Sequence, residues 1–506
     1  MIALDSAEPS LIELWMNDGS LPNLKRLCAQ GSYGRLASSA DWLAGSPWPT
    51  FYTGTTPAEH GFYHYLQWRA DKMVHVRPSP DWLPLCPFWR VLSKTGLRVV
   101  AFDIPMTFQP EPFNGVEISG WATHDQLTPP ASYPSSMMDW VRREFGQPPL
   151  SEEFGGLQSP KSLLQLRDEL TQATQCAADV AEALMNRETW DLFVCGFGAT
   201  HRGGHKFWDI TNTLGDIQSN EREEFAYALR DVYIACDTAV GQLVETVSEG
   251  VTIFVFSLHG MGPNTSRADL LLPKMLDRIL NKKANKRSEQ GGCLQRLRKL
   301  IPLELRYKVR RWLPFWLQDQ LTAFWRMGRI DWSLTPAVSL LADLQGYIRI
   351  NLRGREAAGI VKPGEEYDRL CTEIIEGLST FVDADTGEPV VESVMRSDQL
   401  FSQGSRQNNL PDLVVRWASN PVANHRAIVS SSYGSIPWPV PGRNSDGRSG
   451  NHRPEGFLIA AGGRIHPGSQ IKDAHILDLA PTVYALLNLS KPTEMCGNVL
   501  SAIQSG

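Results

Sequence analysis

Trp190-Asp191-Leu192-Phe193-Val194-Cys195-Gly196-Phe197-Gly198-Ala199-Thr200-His201-Arg202-Gly203-Gly204-His205 is the stretch that decides the architecture. The apolar run from Leu192 to Gly196 reads as a buried strand. His201 and His205 follow, four residues apart. That spacing places both imidazoles on one side of a helical turn, close enough to hold a single cation. Ligands at the carboxyl end of a strand are where open α/β sheets carry their chemistry. Taken alone, the pair reads equally well as two satisfied surface histidines.

The remainder of the chain has the strand–helix alternation that such a sheet needs. Strand-like runs fall at Ile2 to Asp5, Leu97 to Phe102, Leu192 to Gly196 and Val251 to Ser257. Helical patterns at Ser162 to Asn186 and Glu221 to Ser248 lie between them. The expectation is a three-layer, doubly wound, mainly parallel α/β sheet. The chain has 506 residues, which allows one large domain with insertions. Residues 1–265 are expected to form the first part of the core, 266–345 an inserted helical basic cap, and 346–506 the second part of the core. Within the cap, Lys282 to Arg311 holds eleven Lys and Arg against two acids, with Leu and Trp interleaved at helical spacing. A membrane-surface contact through 282–316 and a packed cap with a solvated basic face are both consistent with this pattern. Residues 431–453, rich in Ser, Gly, Pro and Arg, read as a long loop.

Composition narrows the function classes. Hydrophobic content of 42%, charged content of 21% and a net charge of −6 are those of an ordinary globular protein, and the net charge does not suggest general nucleic-acid binding. The eight cysteines are scattered with no Cys-x-x-Cys pair, so no thiolate zinc site is indicated. No apolar stretch approaches the ~18 residues of a membrane span. The chain opens directly on a strand-like segment, and a cytoplasmic location is the expectation.

Other strand ends carry further candidates. Asp5 closes the first strand, His259 follows Phe254-Val255-Phe256-Ser257-Leu258, and His452 precedes Gly456-Phe457-Leu458-Ile459-Ala460. A doubly wound sheet would bring Asp5, His201, His205, His259 and His452 to one edge. Ser46-Pro47 reads as the start of a helix, where backbone N–H groups favour a phosphate or sulfate and a nearby cation would activate a hydroxyl. Ser46 is therefore the candidate nucleophile, with Thr50 as the alternative. A plain N-cap serine is the simpler reading of Ser46 taken alone.

Together these motifs resemble the alkaline phosphatase superfamily, in its branch of type I phosphodiesterases, nucleotide pyrophosphatases and phosphohydrolase/phosphomutase-like proteins. Thr53-Gly54-Thr55-Thr56-Pro57-Ala58-Glu59-His60-Gly61 is similar to that branch's TG-x-x-P-x-x-HG signature. Leu258-His259-Gly260-Met261 is similar to its SDHGM motif, and Asn451-His452-Arg453-Pro454 with Gly456 to its late G-x-H-x-x-x-G motif. The resemblance implies an alkaline-phosphatase-like fold and two divalent ions, zinc or manganese, flanking a hydroxyl nucleophile. It implies one ion held by His201, His205 and His452, and another by Asp5, His259 and the nucleophile. Arg202 and Arg453, next to the ligands, are candidates for binding phosphate oxygens, and Asn264 for supplying a further oxygen.

Three departures from the pattern bear on the activity. His201 stands where the family has Asp. Leu258 stands where it has the Asp of SDHG. The interval from Ser46 to Thr53-Gly54 is shorter than the family's, and strict counting reaches Ala44. The expected function is a metal-dependent phosphoric ester hydrolase acting on a phosphorylated small molecule or nucleotide-like substrate. The alternatives are a phosphomutase or phosphotransferase on the same scaffold, and a degenerate one-metal member that binds a phosphorylated ligand or partner without hydrolysis.

Overall fold

The computed structural model describes residues 1–124, 126–150, 156–214, 223–280, 313–314, 317–321, 330–420, 426–440 and 442–500. Nine strands form the central sheet, in the order Ala474–His475, Gly31–Ala37, Glu455–Ala461, Ile253–Ser257, Ile2–Leu4, Leu192–Phe197, Val99–Phe102, Gly115–Ser119 and Ala131–Tyr133. The five from Ile253–Ser257 to Gly115–Ser119 are mutually parallel. Glu455–Ala461 and Ala131–Tyr133 run against their neighbours. The expected mainly parallel α/β sheet is what the chain forms.

The layers follow from strand alternation. Ile2, Leu4, Phe193, Cys195 and Val255 pack into one core, whereas Ala3, Val194, Phe254 and Phe256 pack into another. Successive side chains of a strand point to opposite faces, so the two cores lie on the two sides of the sheet. Both faces are apolar, which is why the central strands read as continuous hydrophobic runs. Helices Pro160–Arg187 and Ala228–Thr246 cover the first face, and Pro47–Thr53, Phe88–Ser93 and Leu479–Leu486 the second. Ser159 caps the longest of these by accepting from the Ser162 backbone N–H, with Pro160 at the first helical position.

Beyond Gly260–Pro263 the chain builds a second lobe, and most of the expected cap at 266–345 lies outside the described residues. Ala337–Leu340, Gly346–Ile350, Leu413–Trp417 and Val391–Arg396 form a separate four-stranded antiparallel sheet. Helices Leu272–Leu280 and Glu365–Ser379 share its apolar cluster. The chain rejoins the central sheet at Glu455–Ala461, so Gly346–Ile350, Val391–Arg396 and Leu413–Trp417 belong to this second lobe. Strand signals alone cannot say which sheet a strand joins. The basic run from 282 to 311 lies outside the described residues. Among the described residues, no helix is long and apolar enough to cross a membrane.

The Pro47–Thr53 helix is anchored by Phe51, which is fully buried against Phe256 and Phe88 with ring centroids 5.1 and 5.7 Å apart. Truncating a buried Phe removes its transfer energy and leaves a cavity. Phe51→Ala should therefore destabilise the fold by about 3–5 kcal/mol, read as a lower urea midpoint at unchanged slope.

Candidate metal centre

Every candidate ligand sits at one edge of the sheet. Asp5 follows Ile2–Leu4, His259 follows Ile253–Ser257, and the helix Ala199–Phe207 with His201 and His205 follows Leu192–Phe197. His452 reaches the same edge differently. Gly450–Arg453 pairs antiparallel with Gly260–Pro263, setting His452 opposite Met261. This strand lies inside the stretch 431–453 that reads as a loop in the sequence.

Two glycines let that ribbon close on the helix. A Cβ on Gly450 would lie 2.2 Å from the Gly204 carbonyl oxygen, and one on Gly204 would lie 2.6 Å from Met261 Cγ. The Ser449 backbone N–H donates to the His205 carbonyl at 2.8 Å and fixes the approach.

The result is a buried triad of imidazoles. His201 Nε2 lies 2.9 Å from His452 Nε2 and 3.2 Å from His205 Nε2. His205 Nδ1 lies 2.8 Å from the Gly450 carbonyl. A carbonyl only accepts, so Nδ1 carries the proton and His205 Nε2 presents a lone pair. Burial, reinforced by the surrounding imidazoles, holds His201 well below the ordinary histidine pKa, and burial does the same to His452. His201 and His452 are thus neutral, and His205 Nε2 offers its lone pair where the three Nε2 atoms meet. Nitrogens about 2.0–2.1 Å from a tetrahedral zinc stand roughly 3.3 Å apart. The spacing here is close to that, and an all-imidazole set suits zinc or another transition ion over magnesium or calcium. The residues fit a cation.

Asp5 has a neighbour that the sequence reading did not name. Its Oδ1 accepts from Trp48 Nε1 at 3.0 Å, and its Oδ2 lies 3.7 Å from His124 Nε2. The His124 ring stacks on that of His201 with centroids 3.8 Å apart. Asp5, His124 and His201 bring their ligand atoms within 4.8 Å of one another. His259 packs on His452, with centroids 4.6 Å apart, and its Nε2 lies 3.5 Å from Ser6 Oγ. His124 has no counterpart in the sequence reading. It follows Gly115–Ser119, a strand whose apolar run is broken by Glu117. Glu117 is buried because Arg90 binds both its oxygens, at 2.7 and 2.9 Å.

The remaining sequence candidates are placed as follows. Ser46 is fully buried, and its hydroxyl lies 2.7 Å from both Ser39 Oγ and the Leu43 carbonyl. Thr50 Oγ1 lies 3.2 Å from Ser39 Oγ and 3.0 Å from His60 Nε2. The structure therefore brings Trp48 of this helix to Asp5, and gives both hydroxyls hydrogen-bond partners other than His201, His205 and His452. Asn264 uses its amide in the ribbon: Oδ1 accepts from Asn451 Nδ2 at 3.2 Å, and Nδ2 donates to the Arg448 carbonyl at 3.0 Å. Arg202 is buried on the ligand helix. Arg453 lies along Gly262, donating to the Pro263 carbonyl at 3.5 Å.

Comparisons with known proteins give the family and the fold. The model of the type I phosphodiesterase / nucleotide pyrophosphatase family matches residues 1–421, and the chain belongs to that family. The family lies in the alkaline phosphatase superfamily, and its members are phosphoester hydrolases. The chain is 31% identical over 81 residues to a 2,3-bisphosphoglycerate-independent phosphoglycerate mutase of Gracilaria tenuistipitata var. liui, which covers 16% of either protein. Phosphonoacetate hydrolase from Sinorhizobium meliloti 1021, solved with phosphonoformate, has a similar fold with TM-score 0.54 at 12% identity, over 96% of this chain and 94% of that one. Murine ectonucleotide pyrophosphatase/phosphodiesterase 5, solved as an inactive variant with AMP, has TM-score 0.50 at 12% identity, over 99% of both chains.

His60 allows a test of this packing. Its Nδ1 accepts from the Phe62 backbone N–H at 3.0 Å, so Nε2 holds the proton and donates to Thr50. Burial lowers its pKa from 6.5 to about 3. Between those values the unfolded chain binds a proton that the folded chain does not. Stability from this group is therefore complete above pH 6.5 and falls by up to about 1.4 kcal/mol per unit as the pH drops toward 3. His60→Gln should flatten the stability–pH curve across that window by close to one proton, measured by urea unfolding at stepped pH.

Proposed function

We propose that this protein is a metal-dependent phosphoric ester hydrolase whose principal cation is held by His201, His205 and His452. The observation that supports this reading is the convergence of three Nε2 atoms at 2.9 and 3.2 Å on a buried edge of the sheet. A cation there supplies Lewis-acid stabilisation of charge on a phosphoryl oxygen. The imidazoles are uncharged, so a bound dication keeps its positive charge and attracts an anionic phosphorylated small molecule or nucleotide-like substrate.

The chain's own groups do the rest. Trp48 fixes Asp5 by donating to Oδ1, which leaves Oδ2 facing His124. Thr200 Oγ1 donates to the Asp5 backbone carbonyl at 2.6 Å and ties the ligand helix to the first strand. Ser46 is the nucleophile in this reading, its hydroxyl rotating away from Ser39 and Leu43 to reach the phosphorus. Zinc is the preferred ion on the donor set, with manganese an alternative.

A second reading has its own support. Leu258 is buried where the related motif carries Asp, and both candidate hydroxyls are bonded elsewhere. A member with one cation that binds a phosphorylated ligand without cleaving it would look like this.

Turnover of a chromogenic phosphodiester with added zinc or manganese separates the two. Under the first reading, Ser46→Ala lowers kcat by 10²-fold or more and Thr50→Ala changes it by under tenfold. Unchanged turnover in Ser46→Ala removes Ser46 from the role. If the wild-type protein binds zinc and a phosphorylated ligand but shows no turnover, the second reading holds. Under both readings, His205→Ala should lose the tightly held ion in metal analysis.

A further inference from the structure

We propose that His124 and Asp5, beside the ring of His201, form a second cation-binding set, with His124 standing in for the carboxylate lost at Leu258. This inference rests on the metal-dependent reading above and goes beyond it in naming a ligand from a different part of the chain.

Asp5 is a buried carboxylate, 3% exposed, with one oxygen, Oδ2, lacking a donor. A buried carboxylate without a compensating partner is costly, and such groups are paired or coordinate metals. Leu258 is also buried and offers no donor atom. His124 Nε2 lies 3.7 Å from Oδ2. That is longer than a hydrogen bond, and it is a separation that two ligands of one ion can take. The ligand atoms of Asp5, His124 and His201 lie within 4.8 Å of one another.

His124 is also held in place. Asp103, in a left-handed backbone conformation at the end of Val99–Phe102, accepts from the Trp121 and Ala122 backbone N–H groups at 2.8 and 2.9 Å. It accepts from Thr123 Oγ1 at 3.1 Å as well. These three bonds pin the loop directly before His124, and stacking on His201 sets the ring plane. A first ligand fixed by a second layer of hydrogen bonds is characteristic of built metal sites. With the His201 nitrogen committed to the three-imidazole ion, a carboxylate and the His124 imidazole leave coordination positions open, as a site that takes up a phosphoryl oxygen requires.

The test is metal stoichiometry, which does not depend on turnover. The full chain is stripped with chelator, reloaded with Zn²⁺ or Co²⁺, and assayed by elemental analysis and by the visible absorption of bound Co²⁺. The wild type should hold two ions per chain. His124→Ala and the milder His124→Gln should each hold one, with the Co²⁺ bands of the three-imidazole site kept, which also shows that the variants are folded. His205→Ala should lose the other ion. If the His124 variants bind as many ions as the wild type, the proposal is overturned. A wild type holding a single ion that is lost in His205→Ala and kept in His124→Ala overturns the proposal and leaves the three-imidazole reading standing. A wild type holding no ion overturns both.

Discussion

The closure of the Gly260–Pro263/Gly450–Arg453 ribbon on the Ala199–Phe207 helix governs the rest of the site. His452 is separated from His201 by 251 residues, and only this contact makes them neighbours. The contact needs backbone against backbone. Any side chain at Gly450 would meet the Gly204 carbonyl, and the ribbon would stand off by the width of a methyl group. The His205 backbone carbonyl and its Nδ1 both bond to the ribbon, at Ser449 and Gly450. Placing the helix thus fixes ring orientation and tautomer in one step.

Charge at this site is distributed unlike the pattern the motifs resemble. Two positions that carry carboxylates in that pattern are His201 and Leu258 in this chain. Asp5 is the one carboxylate that approaches the rings closely among the described residues, through His124 at 3.7 Å. Neutral ligands bind a hard cation less strongly than carboxylates do, but they do not cancel its charge. The same substitutions therefore trade affinity for hard ions against field strength toward an anionic substrate.

How much of this was legible depends on the range of each signal. Leu192–Phe197 announced itself because it is buried on both faces, and the His201/His205 pair because its geometry is local to one helical turn. Asp5, His259 and His452 were legible as strand-end residues, since edge placement follows from strand direction. His124 was not, because Gly115–Ser119 carries a buried glutamate whose partner, Arg90, is 27 residues away. The second lobe was not legible for a related reason. A strand such as Gly346–Ile350 looks the same whether it joins the central sheet or pairs with Ala337–Leu340. The rotamer of Ser46 is set by Ser39 and Leu43, and no spacing rule reports a rotamer.

The second lobe is better understood as a wall of the site than as a lid over it. Gln345, between two of its strands, donates to the Ala40 carbonyl at 2.7 Å and accepts from the Ala44 backbone N–H at 3.1 Å. It thereby grips the turn that leads into Ser46. Asp343 faces His64 at 3.6 Å and Arg448 at 3.5 Å, and its backbone carbonyl accepts from Asn451 Nδ2, one residue before His452. The lobe therefore touches both the arm carrying the candidate hydroxyl and the strand carrying the imidazole. Gln345 and Tyr347, whose side chains are 3.4 Å apart, sit in buried packing, so moving the lobe would break several buried hydrogen bonds at once. The lobe is thereby held against both arms of the candidate site.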